Sequence, residues 1–365
     1  MRQLKKIGSI LLLGLILPVS VFAQFTETKE ISKHFKVSPE TRIEIANKYG
    51  KIELNTWEKD SVVITVDIRV EERKLSRLEK AMDDIRFDIT DNPHFLIFRT
   101  AVGENRSTLE KEIMKFKESL LQTDGKMEIN YTVWLPESNE LKVENKFGDI
   151  FIGDYSGEVE INLSNGNLKS HDFNNRLVLT LNFADATINQ MVNGRIDGNY
   201  SDLYIRKAES LRVVSKSSNF EILELKELDA DSRRDKFRIR LADWIEAKGS
   251  FSNFRINELT DRLTLRTEYG DIDVEKTSPD FSTIFIESRS TDINLYFPQD
   301  AGFGFEIAHT DAELNLCREM EIEEEKKPDE NTEQTELKGV FNKNQQNNTK
   351  LFIKATSGEI NIFSD

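Results

Sequence analysis

The sequence contains a single cysteine, Cys317, so no internal disulfide bond can form and stability has to come from packing. Only four histidines are present, and no two of them have the short spacing that is typical of zinc ligands. Gly-rich phosphate loops and the Gly-x-Ser-x-Gly nucleophile motif are also missing. These absences leave no candidate catalytic or cofactor-binding residue. The alternative is a metal site or catalytic triad whose residues are far apart in the sequence, because local motifs do not detect such a site.

Long apolar runs are missing as well, since none reaches the roughly 20 residues that cross a bilayer. One shorter run, Ile7 to Leu17, follows a basic start and precedes the small-x-small sequence Val21-Phe22-Ala23. This arrangement predicts a signal peptide over residues 1–23, with an uncleaved anchor as the alternative. No cysteine stands at the expected cleavage site, so a lipid anchor there is not expected, and residues 359–365 carry no anchor. We therefore expect an exported protein without a transmembrane segment, located in the periplasm or at the cell surface or outside the cell.

Positive charge is scarce in the remaining chain. The net charge is −15 for the whole sequence and −18 without residues 1–23, which contain three basic and no acidic residues. Nucleic acids and anionic membrane surfaces both require clustered lysine and arginine on the protein that binds them. The charge balance therefore argues against both classes of partner.

A repeat is the strongest pattern that the sequence does contain. Each copy has a small residue, a polar residue and an apolar-x-apolar pair, as in Gly148-Asp149-Ile150-Phe151-Ile152. From Asp149 to Glu313 the polar residue recurs at seven steps of 17 or 18 residues and then at two steps of 21. Outlying copies begin at Gly50 and Gly358. The polar positions between the outlying copies are Asp149, Asn167, Asp185, Asp202, Asn219, Lys236, Asn253, Asp271, Asp292 and Glu313.

Most copies contain a second alternating stretch, such as Val159-x-Ile161-x-Leu163, so each unit supplies about two short strands. One unit cannot bury its apolar face alone and has to stack on its neighbours. The repeat therefore predicts an all-β fold, a parallel β-solenoid with coils of about 17–21 residues. The main alternative is a β-sandwich or a propeller, but the even spacing and the scarcity of hairpin turns favour the solenoid.

The N-terminal part departs from the repeat. Strands are predicted within residues 31–70, and charged segments with apolar residues at helical spacing predict amphipathic helices over Glu71 to Met82 and Asn105 to Leu121. Further strands are predicted around these helices. We interpret residues 24–136 as strands with a small helical insertion that caps the open solenoid end. The competing interpretation is a helical module that docks a partner.

The predicted solenoid repeats occupy residues 137–317. Residues 318–340 are acidic, contain proline and have no aromatic residue, so they are predicted to form a flexible, solvated loop. Residues 341–365 are predicted to form the final solenoid strands.

The polar residues of the repeat are predicted to lie in a row at one corner of the solenoid. Aspartate and asparagine favour such corners because their side chains bond nearby backbone amides. The alternative is a calcium site on an acidic ridge, with Asp271, Asp273 and Asp292 as the metal-binding candidates. A polysaccharide-cleaving site would also need a basic residue near these acids, and the candidates are Arg255, Arg266 and Arg289.

The segments Asn47 to Val62 and Glu144 to Ile150, with the successive Gly-Asp-Ile steps, resemble secreted bacterial β-strand-repeat proteins labelled "putative adhesins". The resemblance covers most of residues 40–316 and the copy at Gly358. It implies a β-solenoid and an envelope location for a family without an established biochemical role. We therefore expect a non-catalytic envelope protein that binds a surface macromolecule, either protein or glycan. The alternative is a carbohydrate-active solenoid enzyme.

Overall fold

The computed structural model describes residues 24–103, 125–328, 333–342 and 350–364, which form 21 β-strands and one α-helix. All of these strands belong to one hydrogen-bonded sheet. Within the described ranges, no helix has the length and apolar character needed to span a membrane. The predicted signal peptide and the predicted helix Asn105 to Leu121 lie outside the described residues.

Short strands dominate the N-terminal part, and long coil-forming strands follow. The N-terminal elements are β1 (Phe25–Lys36), β2 (Arg42–Ala46), β3 (Ile52–Trp57), β4 (Ser61–Glu72), α1 (Leu75–Asp84), β5 (Ile85–Asp91), β6 (Phe95–Val102) and β7 (Lys126–Pro136). The central strands are β8 (Leu141–Asn145), β9 (Ile150–Ile152), β10 (Val159–Ser164), β11 (Asn167–Asn182), β12 (Asp185–Asn199), β13 (Asp202–Lys216), β14 (Asn219–Arg233), β15 (Lys236–Ser250), β16 (Asn253–Val274) and β17 (Thr283–Phe297). The C-terminal strands are β18 (Phe303–Leu316), β19 (Met320–Lys326), β20 (Thr335–Phe341) and β21 (Lys350–Ser364).

Successive long strands pair in parallel and keep one register, which confirms the predicted β-solenoid. Ile188 of β12 lies beside Ile205 of β13, which lies beside Ile222 of β14, and all three side chains are fully buried. The intervening side chains are exposed because successive residues of a strand point to opposite faces. Each coil supplies the long crossover connection that a parallel pair of strands requires.

Identical side chains stack inside the solenoid. Phe220, Phe237 and Phe254 lie in three successive coils, and none is more than 1% exposed. Their ring centroids are 4.7 and 5.0 Å apart, with planes within 6° of parallel. These distances match the strand spacing of about 4.8 Å. The aromatic stack and the backbone hydrogen bonds therefore support the same register.

Each coil also turns sharply at one residue in the left-handed region of backbone conformation. Ten such residues in the described chain, with φ between 47° and 59°, stand directly before the small residue of a repeat copy. They are Asn165, Phe183, Tyr200, Ser217, Arg234, Phe251, Tyr269, Ser290, Asp311 and Ser357. The corners stack directly, since the N–H of Phe183 donates to the carbonyl of Asn199 at 3.0 Å, just before the next corner. A non-glycine residue in this conformation costs on the order of 1–2 kcal/mol.

Replacing Ser217 (φ 54°) by glycine is expected to raise the free energy of unfolding by about 0.5–1 kcal/mol. The relief of steric strain at the corner exceeds the extra entropy that glycine gives the unfolded chain. Valine at this position is expected to lower stability by about 1–2 kcal/mol, because a β-branched side chain fits this conformation poorly. Urea unfolding of both variants measures the difference, and equal stability of the two would contradict the strain argument.

Antiparallel strands close the N-terminal end of the solenoid. β4 pairs antiparallel with β1 and β7, and β5 pairs antiparallel with β6. The predicted helical insertion is confirmed as α1, which begins at Leu75 rather than Glu71 because Glu71 and Glu72 still belong to β4. Leu78 is the buried residue of this helix. Strands therefore form most of the described cap, and the helix packs beside them.

At the other end, the last strand is inserted out of sequence order. β21 lies between β17 and β18 and is parallel to both of them. Ile293 of β17 lies beside Ile360 of β21, which lies beside Leu314 of β18. The position next to β17 is thus occupied by β21, and β18 lies one coil further out. The last two repeat copies stack in the reverse of their sequence order.

The prediction of a flexible loop over residues 318–340 is wrong for most of the described part of that segment. β20 pairs antiparallel with both β18 and β19, so the acidic region extends the sheet. Leu337 and Phe341 of β20 and Met320 of β19 are buried, and this apolar contact holds the hairpin in place. The glutamates of β19 remain exposed along the strand. Charged residues on such an edge oppose further strand pairing.

Candidate functional site

Six corners of the solenoid carry an aromatic residue directly before the small residue of the repeat. Five of these side chains are 45–62% exposed, although phenylalanine and tyrosine bury large apolar areas when they can. At four of the corners the residue in the left-handed turn is the aromatic residue itself, and its side chain is directed away from the core; at the other two corners the aromatic residue precedes Gly50 or Gly148, and the glycine has the positive φ. We call this set the aromatic column, and its members are Tyr49, Phe147, Phe183, Tyr200, Phe251 and Tyr269.

The rings of the aromatic column stack as three pairs. Phe183 and Tyr200 have parallel rings with centroids 4.9 Å apart. Phe251 stacks on Tyr269 at 4.8 Å, and Tyr49 stacks on Phe147 at 5.9 Å. Since one corner follows another at about the strand spacing of 4.8 Å, adjacent aromatic corners place their rings in contact.

Two interruptions separate the three pairs. The corner residue Asn165 lies between the first and second pairs, and Ser217 and Arg234 lie between Tyr200 and Phe251. We call the wider interruption, at Ser217 and Arg234, the corner gap. Its ends are formed by aromatic rings, and it lacks two rings that would complete the stack.

Four basic side chains surround the corner gap, in contrast to the negative net charge of the protein. The Lys216 Nζ atom lies 5.9 Å from the centroid of the Tyr200 ring. The side chains of Arg233, Arg234 and Lys236 are exposed in the next coil. None of the four takes part in an ion pair within the described residues.

Three of the acidic groups near the corner gap, Asp229, Glu224 and Asp235, are engaged elsewhere. Asp229 pairs with Arg212 at 3.5 Å, and Glu224 pairs with Arg240 at 3.2 Å. Asp231 is exposed on the strand face of Arg233, opposite Lys248 in the register of β14 and β15, and forms no ion pair among the described residues. The carboxylate of Asp235 is buried under the corner and accepts hydrogen bonds from its neighbours. The basic side chains therefore present positive charge that the protein itself leaves available.

Sequence reasoning did not find the aromatic column or the corner gap. The repeat pattern begins at the small residue, so it does not include the residue before it. The signal was present, since an aromatic residue precedes the small residue in six copies. The run Arg233-Arg234-Asp235-Lys236 was equally visible, but only the structure shows that its buried aspartate and exposed basic residues point in opposite directions.

The predicted row of polar residues is present at the corner. The register places Asn167 beside Asp185, Asp202 beside Asn219, and Asp271 beside Asp292. Their carboxylates bond backbone amides of the adjacent coil. Asp149 Oδ1 accepts the N–H of Asn167 at 2.9 Å, and Asp185 Oδ1 accepts the N–H of Asp202 at 3.1 Å. The row thus has the amide-bonding role that aspartate and asparagine commonly have at turns.

The structure brings the three metal-binding candidates to one shallow groove, but two of their carboxylates already bond other groups of the protein. The Asp273 carboxylate pairs with Arg255 at 3.2 Å, and Asp292 Oδ1 accepts the N–H of Glu359 at 3.1 Å. Asp271 lies beside Asp292 in the same groove. Among the described residues, no group of three or more His, Cys, Asp or Glu side chains is arranged to hold a metal ion.

Two of the three basic candidates lie away from these acids. Arg266 and Arg289 line a different groove, where they pair with Glu287 at 3.7 Å and Glu268 at 3.8 Å. Arg255 is thus the basic candidate that pairs with one of the predicted acids. A cluster of all six residues does not form.

Calcium binding at Asp271, Asp273 and Asp292 stays a prediction, and the melting temperature tests it. We expect millimolar Ca²⁺ and EDTA to give the same melting temperature, because Ca²⁺ needs six to eight oxygen ligands and two of the carboxylates are already bonded. Bound calcium at a hundredfold excess over its Kd would stabilise the protein by about 2.7 kcal/mol. A calcium-dependent rise that Asp292→Asn abolishes would establish the site.

Comparison with known proteins identifies the family. The family model for Toastrack DUF4097 matches residues 40–363. No curated protein matches the chain. The resemblance to repeat proteins labelled as adhesins is therefore confirmed at the level of the family.

Several solved structures are similar to the chain. A "putative cell adhesion protein" from Clostridium sporogenes is 13% identical, with 93% of this chain and 100% of that chain covered and a TM-score of 0.22. A "putative adhesin" from Parabacteroides distasonis is 12% identical, with 73% and 97% covered and a TM-score of 0.37. A "putative lipid binding protein" from the same organism is 11% identical, with 73% and 93% covered and a TM-score of 0.34. These similarities identify no ligand, but the family model spans most of the sequence, and the chain belongs to the Toastrack DUF4097 family.

Proposed function

We propose that the protein is an exported, non-catalytic binding protein of the cell envelope that holds an extended macromolecule along the aromatic column. The observation that carries this proposal is the exposure of the rings, with Phe183 at 62% and Phe251 at 51%. Apolar side chains that line up on a protein surface are characteristic of binding sites. Four of the six rings also stand on strained left-handed corners, where a small polar residue such as Ser217 serves the fold equally well.

The dimensions of the column favour an extended ligand. From Tyr49 to Tyr269 the solenoid rises through eight coil steps, or about 38 Å at about 4.8 Å for each step. A ligand that contacts all three ring pairs has to follow the solenoid axis over this length. Export is supported by the predicted signal peptide, and an envelope polymer or surface macromolecule would then be accessible to the column.

Binding to envelope fractions tests the proposal. The secreted form, residues 24–365, should be retained on envelopes of the host bacterium in a saturable manner. Replacing Phe183 and Tyr200 together by serine should weaken retention, because one ring pair is removed. Serine is tolerated at these corners, since Ser217 and Ser290 occupy equivalent positions.

Tyr204 provides the matched control. It is 37% exposed in the coil of Tyr200 but lies on the strand face rather than at the corner. Tyr204→Ser should leave retention unchanged, and an equal loss in both variants would overturn the assignment to the column. Release of products from a polysaccharide incubated with the protein would contradict the non-catalytic part of the proposal.

A further inference from the structure

We infer that the corner gap binds an acidic glycan, with a sugar ring against the aromatic walls and its anionic group on the surrounding basic side chains. This inference rests on the proposed function and names the ligand class for the same column. The walls are the rings of Tyr200 and Phe251, and the corner residues between them are Ser217 and Arg234.

The spacing of the walls fits sugar rings. Adjacent rings of the column are 4.9 Å apart where both corners are aromatic, as for Phe183 and Tyr200. Tyr200 and Phe251 are separated by three coil steps, or about 14 Å. The two positions between these walls therefore carry Ser217 and Arg234 in place of aromatic rings. A pyranose ring has apolar C–H faces that pack on an aromatic face, so one or two sugar rings can occupy these positions.

The positive charge around the gap favours an anionic sugar. Lys216, Arg233, Arg234 and Lys236 lie in two successive coils and form no ion pairs within the part of the chain that the structure describes. Arginine and lysine donate charge-assisted hydrogen bonds to carboxylate, sulfate or phosphate oxygens. A neutral sugar would leave these donors without an anionic partner.

The surroundings also argue against a nucleic acid strand, which would use similar aromatic and basic side chains. A polynucleotide needs positive charge along its whole backbone. The polar row beside the aromatic column instead carries Asp149, Asp185, Asp202 and Asp271 at other corners. Basic side chains at the corner gap, and Lys48 and Lys146 beside the first ring pair, are thus separated by corners with acidic residues, which suits a polymer whose acidic groups are widely spaced.

Titration of defined oligosaccharides into residues 24–365 tests the inference. The probes are an oligogalacturonate that carries carboxylates, a chondroitin sulfate oligosaccharide that carries sulfates, and a neutral cello-oligosaccharide. We expect at least one acidic probe to bind with an affinity that falls as salt rises, and the neutral probe to bind at least about tenfold more weakly. Preference for one acidic probe distinguishes carboxylate from sulfate recognition.

Two double variants locate the site. Arg233→Ser with Arg234→Ser should weaken acidic-probe binding about tenfold or more and reduce its salt dependence. Arg212→Ser with Arg240→Ser removes the same charge from ion-paired positions in nearby coils and should change the affinity less than about twofold. Melting temperatures establish that both variants fold. Equal losses in the two variants, or stronger binding of the neutral probe, would overturn the inference.

Failure of this inference is distinguishable from failure of the proposed function. If the envelopes retain the protein through Phe183 and Tyr200 but no acidic probe binds, the inference falls and the binding function stands. Retention that disappears when the envelopes are treated with protease would identify a protein ligand and would also overturn the inference. Absence of retention on any envelope fraction would overturn the proposed function itself.

Discussion

Replacing Phe237 by alanine is expected to lower the free energy of unfolding by about 3–5 kcal/mol. The Phe237 ring is 1% exposed and lies between the rings of Phe220 and Phe254, at 4.7 and 5.0 Å. Its removal leaves a cavity with aromatic walls above and below. The backbone cannot close this cavity, because the parallel hydrogen bonds hold the three coils at a fixed spacing.

Phe251→Ala is the matched control for this effect. It removes the same atoms one coil away, but Phe251 is 51% exposed and contacts the solvent-facing ring of Tyr269. Its expected cost is about 1 kcal/mol or less, the value of an exposed aromatic pair. Urea unfolding gives both values. Hydrogen exchange should lose protection mainly in β14 to β16 for Phe237→Ala, since each coil of a solenoid contacts only its neighbours. Equal effects of the two substitutions would contradict the division into core stack and surface column.

The repeat was sufficient to predict the solenoid because it carries two kinds of information at once. Alternation in segments such as Leu177-x-Leu179-x-Leu181 indicates which face is buried. The nearly constant number of residues between copies indicates which residues of successive coils lie side by side. Both were confirmed, since Leu179 is buried beside Ile196 in the next coil.

The order of the C-terminal coils could not be predicted in the same way. The copies at Glu313 and Glu359 have the same pattern of apolar residues, so either one fits beside the copy at Asp292. Only the packed structure places β21 there and moves β18 outward. The β19–β20 hairpin was missed for a different reason. Its many glutamates predict a solvated loop. The few apolar residues that hold the hairpin, such as Leu337 and Phe341, are too sparse to predict strands.

The candidate site was predictable in part. Turn preferences placed the polar row correctly at the corner, although the carboxylates of Asp149 and Asp185 bond backbone amides of the adjacent coil rather than of their own. The exposure of Phe183 or Phe251 depends instead on the left-handed turn, which decides whether a ring beside a buried strand points inward or outward. Composition would have placed these rings in the core. The available charge of Arg233 and Arg234 likewise depends on where the neighbouring carboxylates point, which is a property of the fold.

Replacing Asp235 by alanine is expected to lower the free energy of unfolding by about 2–4 kcal/mol. Asp235 is 1% exposed and occupies the small position of its repeat copy, where neighbouring coils have serine. One carboxylate oxygen accepts the N–H of Ser218 at 2.8 Å. The other accepts the hydroxyls of Ser215 and Ser232 and the N–H of Arg233, at 2.7 to 3.0 Å. Alanine would leave these buried donors without their acceptor.

Asp235→Ser should recover most of the loss and cost about 1 kcal/mol or less. The equivalent Ser218 shows how, because its hydroxyl accepts the N–H of Ser201 and donates to the carbonyl of Lys216, both at 3.2 Å. A serine at 235 can bond the N–H of Ser218 in the same manner. Urea unfolding of the two variants separates the contributions. If serine is as destabilising as alanine, the stability of this corner depends on the carboxylate and its bonds to Ser215 and Ser232. If serine restores the stability, the hydrogen bond to the N–H of Ser218 is what this corner requires. Any small residue with a hydrogen-bond acceptor would then suffice at this position of the repeat.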